Sequence, residues 1–430
     1  MKTNLVICAL LTTMTLNAQK SFRVSVTNQG DTERKDIPVV LNIQKYKEVR
    51  TAEVKLSKEL EVPCQLDDLN GDGIADELCF MTDLKAGETK RFAVTLSNSG
   101  EQKAYESRVY AEMLIRNDKV KEKNRHNNYI ESITARGDCA NPYNLQHHHG
   151  VCFESELNGI RIYFDKRQTL DLYGKFKKRL ELEETQFYTS AAQKEDNYGD
   201  DVLWVGNTFG LGAFRGWNGT EPTMIEPVRS RTQRIVSYGP LRTIVEVEDR
   251  GWKAEEGKSP IDMTIRYTQY AGHRDTDVDI FFNKNVSNYH FSTGLIDIKG
   301  SDEFSDQKGL RACWGTDWPA GDTVNWKRET VGLAICLDQK NIEREIARDS
   351  SSADKQGNNL TFIVGTSSNR LSYKVAYCSA NEEFGFLSKS EWFEWVKAWK
   401  RETSSPIIIK YKSSRQRRKK LSSFHIVLPE

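Results

Sequence analysis

One stretch of the chain gathers side chains that can move protons and hold anions. His147-His148-His149-Gly150 leads to Glu154, then Arg161-Ile162-Tyr163-Phe164-Asp165-Lys166-Arg167, then Asp171, Tyr173 and Lys175. Imidazole exchanges protons near neutral pH. A tyrosine next to Arg or His can do the same. Arginine grips a carboxylate with two parallel donors. β-Elimination on a uronate needs all three functions: the carboxylate neutralised, the C5 proton removed and the leaving oxygen protonated. In that chemistry His148 or His149 takes the proton, Tyr163 or Tyr173 gives one, and Arg161 or Arg167 clamps the carboxylate. Hydrolysis of a glycoside would need two facing carboxylates instead, for which Glu154, Asp165 and Asp171 are candidates. An epimerase would pair His with Glu. The bland alternative is a surface histidine turn beside an ion-paired strand.

Two further sets fit a sugar ligand. His273-Arg274 sits in a turn before Asp275, Asp277 and Asp279. Trp314-Gly315-Thr316-Asp317-Trp318, with Trp204, Trp217 and Trp252, places indoles close to glycines. Pyranose C–H faces stack on such rings while hydroxyls take polar partners. Asp165, Tyr173, Lys175, His273, Arg274, Trp314 and Trp318 are thus the expected substrate contacts. For each tryptophan alone, core packing is the competing account.

Asp67-Asp68-Leu69-Asn70-Gly71-Asp72-Gly73-Ile74-Ala75-Asp76-Glu77 is a separate motif. Asp68, Asn70, Asp72 and Asp76 occupy positions 1, 3, 5 and 9 of an EF-hand-type loop, which makes a structural calcium ion one expectation. Position 12 is Cys79, not Glu, so the bidentate ligand is missing. The alternative is a solvated Asp/Gly turn between two strands. No organic cofactor is expected.

The elements that must position these groups read as all-β. Ser21–Thr27, Ile37–Ile43, Ala52–Leu56 and Arg91–Leu96 alternate with the period of half-buried strands, predicting a small β-sandwich over 19–98. Ile160–Phe164, Thr232–Ser237, Arg242–Asp249, Ile261–Gln269, Thr276–Phe282, Gly332–Leu337 and Thr361–Gly365 predict a large antiparallel β super-sandwich over 106–411. In a strand at 160–164, Arg161 and Tyr163 share a face, and Asp165 and Arg167 would extend the row. Four polar side chains on one face are costly in an apolar core, so the row is expected to line a wet cleft. Ser390–Arg401 is the one amphipathic helix, its aromatic stripe expected to pack on the sandwich.

The 430 residues carry 62 basic and 61 acidic side chains, a net charge of +1, so a globally basic nucleic-acid binder is excluded as the default. Residues 1–18 read as a secretory signal peptide, implying a periplasmic or extracellular address and no membrane insertion. The seven later cysteines include two pairs at local-disulfide spacing, Cys64–Cys79 and Cys139–Cys152, and buried thiols fit equally well. Residues 412–430 form a basic tail expected to be disordered. Because that tail is basic, the rest of the chain is mildly acidic, and attraction for an acidic glycan must come from local clustering.

The chain resembles a family of secreted proteins of unknown function from bacteria that degrade polysaccharides. The resemblance lies in Val62–Gly73 with Asp76-Glu77-Leu78, His148-His149-Gly150, Arg161-Ile162-Tyr163 with Asp165 and Arg167, Asp171 with Tyr173-Gly174-Lys175, and Trp314-Gly315 with Asp317-Trp318. The long β-region also looks like the super-sandwich of galactose-mutarotase-like proteins. The resemblance implies a setting among uronate-containing glycans. A carbohydrate-active enzyme, most simply a lyase, is one expectation, and a non-catalytic glycan-binding accessory protein is the other.

Overall fold

The computed structural model describes residues 19–117, 119, 126–137, 142–321, 323–324, 326–348 and 358–413. The expected signal peptide, Cys139 and the tail from 414 onward lie outside them.

Alternation builds the first unit. Along Gln19–Asn28, Phe22, Val24 and Val26 turn inward while Arg23, Ser25 and Thr27 turn outward. Five strands form one sheet in the order Ile407–Ser413, Gln19–Asn28, Thr89–Ser97, Thr51–Lys55 and Glu61–Val62. A second sheet of Arg34–Asn42, Glu77–Leu84 and Cys64–Asp67 closes over it. Val24, Val39, Val54, Leu78, Phe80, Phe92 and Val94 fill the space between. From the sequence, the outer edge strand is expected in the large unit. Instead it pairs with the first strand, Asn28 opposite Ile407 and Phe22 opposite Ser413, so the chain returns to where it began. Ile407 and Ile409 join the small core, which fixes this edge. Cys64 and Cys79 are both free. Cys64 lies opposite Phe80 and Gln65 opposite Cys79, so the two thiols point to opposite faces of their sheet.

The second unit is a sandwich with one wide layer. Its nine-stranded antiparallel sheet runs from Ser132–Arg136 through Ser230–Ser237, Arg242–Trp252, Ile261–Tyr270, Asp275–Phe282, Arg370–Ser379, Glu329–Leu337 and Leu310–Asp317 to Asp302–Ser305. Two five-stranded sheets face it. One comprises Val109–Glu112, Gly150–Ser155, Gly159–Tyr163, Leu170–Gly174 and Asp200–Asp201. The other centres on Arg215–Trp217, Phe291–Ile296 and Asn359–Val364. Val151, Phe153, Ile160, Ile162 and Leu172 from the first share one apolar core with Val247, Ile265, Val278 and Val331 from the wide sheet.

The helix Lys389–Ser404 is capped by Ser388, whose hydroxyl accepts from Glu391 N at 3.3 Å. Trp392, Val396 and Trp399 are buried against Ala312, Ala334 and Cys378. Gly332 is required beneath Trp392, because a Cβ there would come within 2.7 Å of the indole. The expected packing role of this stripe holds.

The two units are joined by buried charge. Asp67 accepts from Arg242 Nε at 2.8 Å and Nη2 at 2.6 Å, and Arg242 Nη2 also donates to Glu77 at 2.7 Å. Gln65 accepts from Leu241 N and Arg242 N. His273 and Arg108 reach Asp36 from the other side.

Candidate functional site

The sheet carrying Gly159–Tyr163 has two unlike faces. Register places Glu112, Cys152, Arg161 and Asp171 in one row across four strands. Tyr110, Glu154, Gly159, Tyr173 and Asp201 form the next row on the same face. The opposite face is the apolar core. Period-two alternation thus concentrates the polar side chains on one side, as expected.

That face is not a wet cleft along its length; chain segments from Phe176 to Gly199 cover most of it. Glu154 and Lys175 form an ion pair at 2.5 Å with both side chains at 0 % exposure. Glu154 also accepts from Glu181 N and Leu182 N, and Lys175 donates to Ser155 O and Arg179 O. Tyr173 donates to Gly199 O at 2.8 Å. His148 is fully buried between Glu112 at 2.9 Å and Gly150 O at 3.1 Å. Burial opposes its imidazolium, but Cys152 and Glu112 outweigh burial and push its pKa up to about 10. Catalysis by His148 and Glu154, and substrate contact by Tyr173 and Lys175, do not fit this placement: Glu154, Tyr173 and Lys175 tie the covering segment to the sheet, and His148 is locked between two strands of the sheet itself.

Arg161 is equally committed. Its Nε and Nη2 donate to Asp171 Oδ2 at 2.8 and 2.5 Å, Nη1 to Tyr188 at 3.1 Å, and Nη2 to Tyr163 and Asp201 at 3.1 Å each. A guanidinium has five donor hydrogens, so little remains for a substrate carboxylate. Tyr163 donates to Asp171 Oδ2 at 2.6 Å, and burial holds its phenol well above the usual range, in the protonated form.

His149 differs. It sits half-buried at φ 63°, a left-handed conformation uncommon for a non-glycine residue. Its carbonyl accepts from Phe164 N at 2.8 Å. Gly150 follows because a Cβ there would lie 1.8 Å from Ile162 O. The imidazole stacks on Tyr143 with centroids 3.9 Å apart and 6° between planes. Its Nδ1 is 3.0 Å from Tyr143 O, and a carbonyl only accepts, so Nδ1 carries the proton. Nε2 is then the lone-pair nitrogen. Burial, with Arg161 and Arg116 nearby, pushes the pKa down to about 4, so the ring is neutral at physiological pH. Tyr143 meets Tyr163 edge-on at 5.4 Å, and the Arg167 guanidinium lies 5.0 Å from the Tyr143 centroid and 4.7 Å from that of Tyr163. Arg167 pairs with Asp165 at 2.5 Å and keeps a fifth of its side chain exposed. The strand ends at Tyr163, so Asp165 and Arg167 stand in the following turn instead of extending the row. The structure therefore brings His149, Tyr163 and Arg167 together around Tyr143. Tyr143, Tyr188, Asp201 and Arg116 complete the surroundings. Their sequence distance left no local signal.

The remaining expectations separate. His273 bridges Asp275 at 3.0 Å and Asp36 O at 2.8 Å, and Arg274 is buried on Glu382 at 2.8 Å and Tyr377 O. Both hold the fold, and neither joins the His149 group. Trp314 packs beside the helix. Trp318 is half-buried, and its carbonyl accepts from Trp204 N at 2.9 Å. In the acidic loop, Asp68 accepts from Asn70, Gly71, Asp72 and Gly73 N, Asn70 from Asp72 N, and Asp72 from Ile74 N. Asp76 turns to Gln44 and Leu69 N, both at 2.8 Å. As placed, these oxygens serve the loop's own backbone. Among the described residues no three His, Cys, Asp or Glu side chains are grouped to share an ion.

A cavity of about 470 Å³ lies on the other five-stranded sheet, lined by Trp217, Glu255, His290 and Glu343 among others. His290 Nδ1 is held by Glu343 at 2.7 Å, Glu255 by Lys258 at 2.9 Å, and Trp217 is 7 % exposed. It offers no open indole face.

His147 and His149 make stability pH-dependent. Burial, with neighbouring positive charge, pushes His147 down to about 2 and His149 to about 4. An unfolded histidine protonates near 6.5. Below that pH the unfolded chain binds protons that the folded chain refuses, so these residues should lower stability as pH falls from about 6.5 toward 4. His148 acts oppositely: its contribution is complete below about 6.5 and is lost as pH rises through about 10. Denaturant midpoints should fall less between pH ~6.5 and ~4.5 in His149→Asn than in the wild type. Equal slopes would contradict the neutral His149.

A family model described as "Domain of unknown function (DUF4861)" matches residues 26–409. No curated protein matches the chain. Among solved structures, a protein in glycosyl hydrolase family 38 from Enterococcus faecalis aligns over 94% of this chain and 48% of its own, at 10% identity and TM-score 0.46. An alpha-mannosidase from Enterococcus faecalis V583 aligns over 94% and 47%, at 11% identity and TM-score 0.46. The chain spans about half the length of those proteins.

Proposed function

The chain belongs to the DUF4861 family, and we propose from its own side chains that it is a carbohydrate-active protein that cleaves an acidic, uronate-containing glycan by β-elimination. The observation that carries this reading is His149. It is a neutral imidazole whose Nδ1 is fixed on Tyr143 O, leaving Nε2 as the proton acceptor, beside a protonated Tyr163 and an Arg167 with a fifth of its side chain exposed.

The roles follow from the geometry. Arg167 binds the uronate carboxylate, in place of the saturated Arg161. His149 Nε2 takes the C5 proton. Tyr163 gives its phenolic proton to the leaving oxygen by rotating its O–H away from Asp171 Oδ2, which accepts it at rest, while Arg161 Nη2 holds the phenolic oxygen. A pKa near 4 makes a weak base, but a bound uronate adds negative charge beside His149, which raises that pKa toward the working range. The reaction needs no redox partner: one C–H and one C–O bond break, a C=C and an O–H bond form, and His149 then returns the C5 proton to the Tyr163 phenolate through solvent, which resets the pair.

Incubation with polygalacturonate, alginate and other uronate polymers should raise the absorbance of a conjugated enoate. New reducing ends without that absorbance would replace elimination by hydrolysis. Neither signal, with binding retained, would leave a glycan-binding protein. That second reading is favoured by one observation, the 60 % exposure of Trp204.

A further inference from the structure

Trp204 is the largest exposed aromatic side chain among the described residues, and the His149 chemistry does not use it. Its position is fixed, unlike that of a free surface ring. Its backbone N–H donates to Trp318 O at 2.9 Å, which fixes the main chain at its root, and Gly321 sits against the six-membered ring, where an added Cβ would lie 3.5 Å from the nearest ring atom. Holding an indole in this way while leaving most of it in water costs hydrophobic free energy. A pyranose face would recover that free energy.

A short chain segment links the ring to the sheet that carries the candidate centre. Trp204 follows Asp201 by three residues, so their Cα atoms are at most about 11 Å apart. Asp201 itself contacts Arg161 at 3.1 Å. The same rim mixes cations and carboxylates. Lys194 lies 4.4 Å over Trp326 and pairs with Asp200 at 2.5 Å, and Lys327 and Arg328 are exposed beside it. The charge of Glu329 is felt with those of Asp200, Lys194 and Lys327, which places these groups in one neighbourhood.

We infer that Trp204, backed by Gly321 and with exposed Lys327 and Arg328 on the segment that follows, is a stacking subsite for another ring of the same acidic glycan, on the Asp200–Asp201 edge of the sheet that carries Tyr163. The inference rests on the glycan reading above, but not on elimination. It makes the preferred substrate a chain longer than a disaccharide. Affinity should weaken as salt rises, because exposed cations supply part of it.

Affinity electrophoresis through gels containing polygalacturonate or alginate tests this. The wild type and His149→Asn should be retarded alike, and Trp204→Ala should bind about tenfold more weakly, the equivalent of about 1.4 kcal/mol. Trp204→Phe should recover part of the loss. On polymer, Trp204→Ala should raise KM and leave kcat near the wild-type value. Trp204→Ala retarded as strongly as wild type would overturn the subsite, as would a wild type that binds no acidic polymer. Binding lost in Trp204→Ala, with no cleavage by the wild type, would uphold the subsite and remove the elimination reading.

Discussion

His149→Asn should lower turnover on a cleavable uronate polymer by about 10²–10⁴-fold, the usual worth of a positioned acid or base. Asparagine is the informative replacement because it tolerates the left-handed backbone at this position, with φ 63°, better than alanine does. The fold and the affinity for polymer should therefore survive. The pH profile gives a second readout. Protonation of Nε2 removes the base, so kcat/KM of the wild type should fall as pH drops through about 4, the value to which burial and the nearby arginines push the free protein. Residual activity in His149→Asn should lack that limb. Arg167→Lys should raise KM, since a lysine loses the planar two-donor grip. Unchanged turnover in His149→Asn would remove the centre. His148 provides the contrast. His148→Gln breaks the buried contact with Glu112 and should act on stability and expression, while keeping an acid limb of activity that His149→Asn lacks.

Arg242→Ala should have the largest effect on stability, about 3–5 kcal/mol, the range for removing one partner of a buried ion pair. The side chains of Arg242 and Asp67 are 4 % and 1 % exposed. Losing the guanidinium strands the Asp67 carboxylate, which retains Gln65 Nε2 at 2.6 Å and Ser237 Oγ. The pair spans the junction, so the loss should also uncouple the two units. Urea unfolding should be a single transition in the wild type and should separate into two in Arg242→Ala. The double variant Asp67→Ala/Arg242→Met removes both charges and should recover much of the loss, because the cost lies in the unpaired charge more than in the missing attraction. A fully stable Arg242→Ala would show that the junction does not depend on this pair.

Much of the local structure can be read directly from residue order. Phe22-Arg23-Val24-Ser25-Val26 alternates, and it forms a strand. Trp392, Val396 and Trp399 recur at helical spacing, and they form one buried face. Arg161 and Tyr163 are two residues apart, and they share a face of their sheet. These outcomes depend on periods of 2 and 3.6, which the backbone imposes on any chain. The crowding of His, Arg and Tyr between 147 and 175 likewise falls on one sheet. Strand register then completed the polar rows.

What covers those rows was settled only by the tertiary structure. His147, His148 and His149 are consecutive and alike in type, yet one is neutral in a cluster of rings, one is locked on Glu112 and one keeps an acceptor nitrogen beside Tyr143. Glu154 and Lys175 read as reactive groups and became a fully buried pair, because Glu181 N and Leu182 N arrive from the covering segment to satisfy the carboxylate. The last strand, Ile407–Ser413, joined the first sheet because an open strand edge at Gln19–Asn28 could pair with it. The sequence by itself determined which side chains share a face and a period. Only the fold decided which of them meet water, because desolvation and hydrogen-bond partners come from segments tens to hundreds of residues away, and those terms convert the same residue type into a buried strut or a proton acceptor.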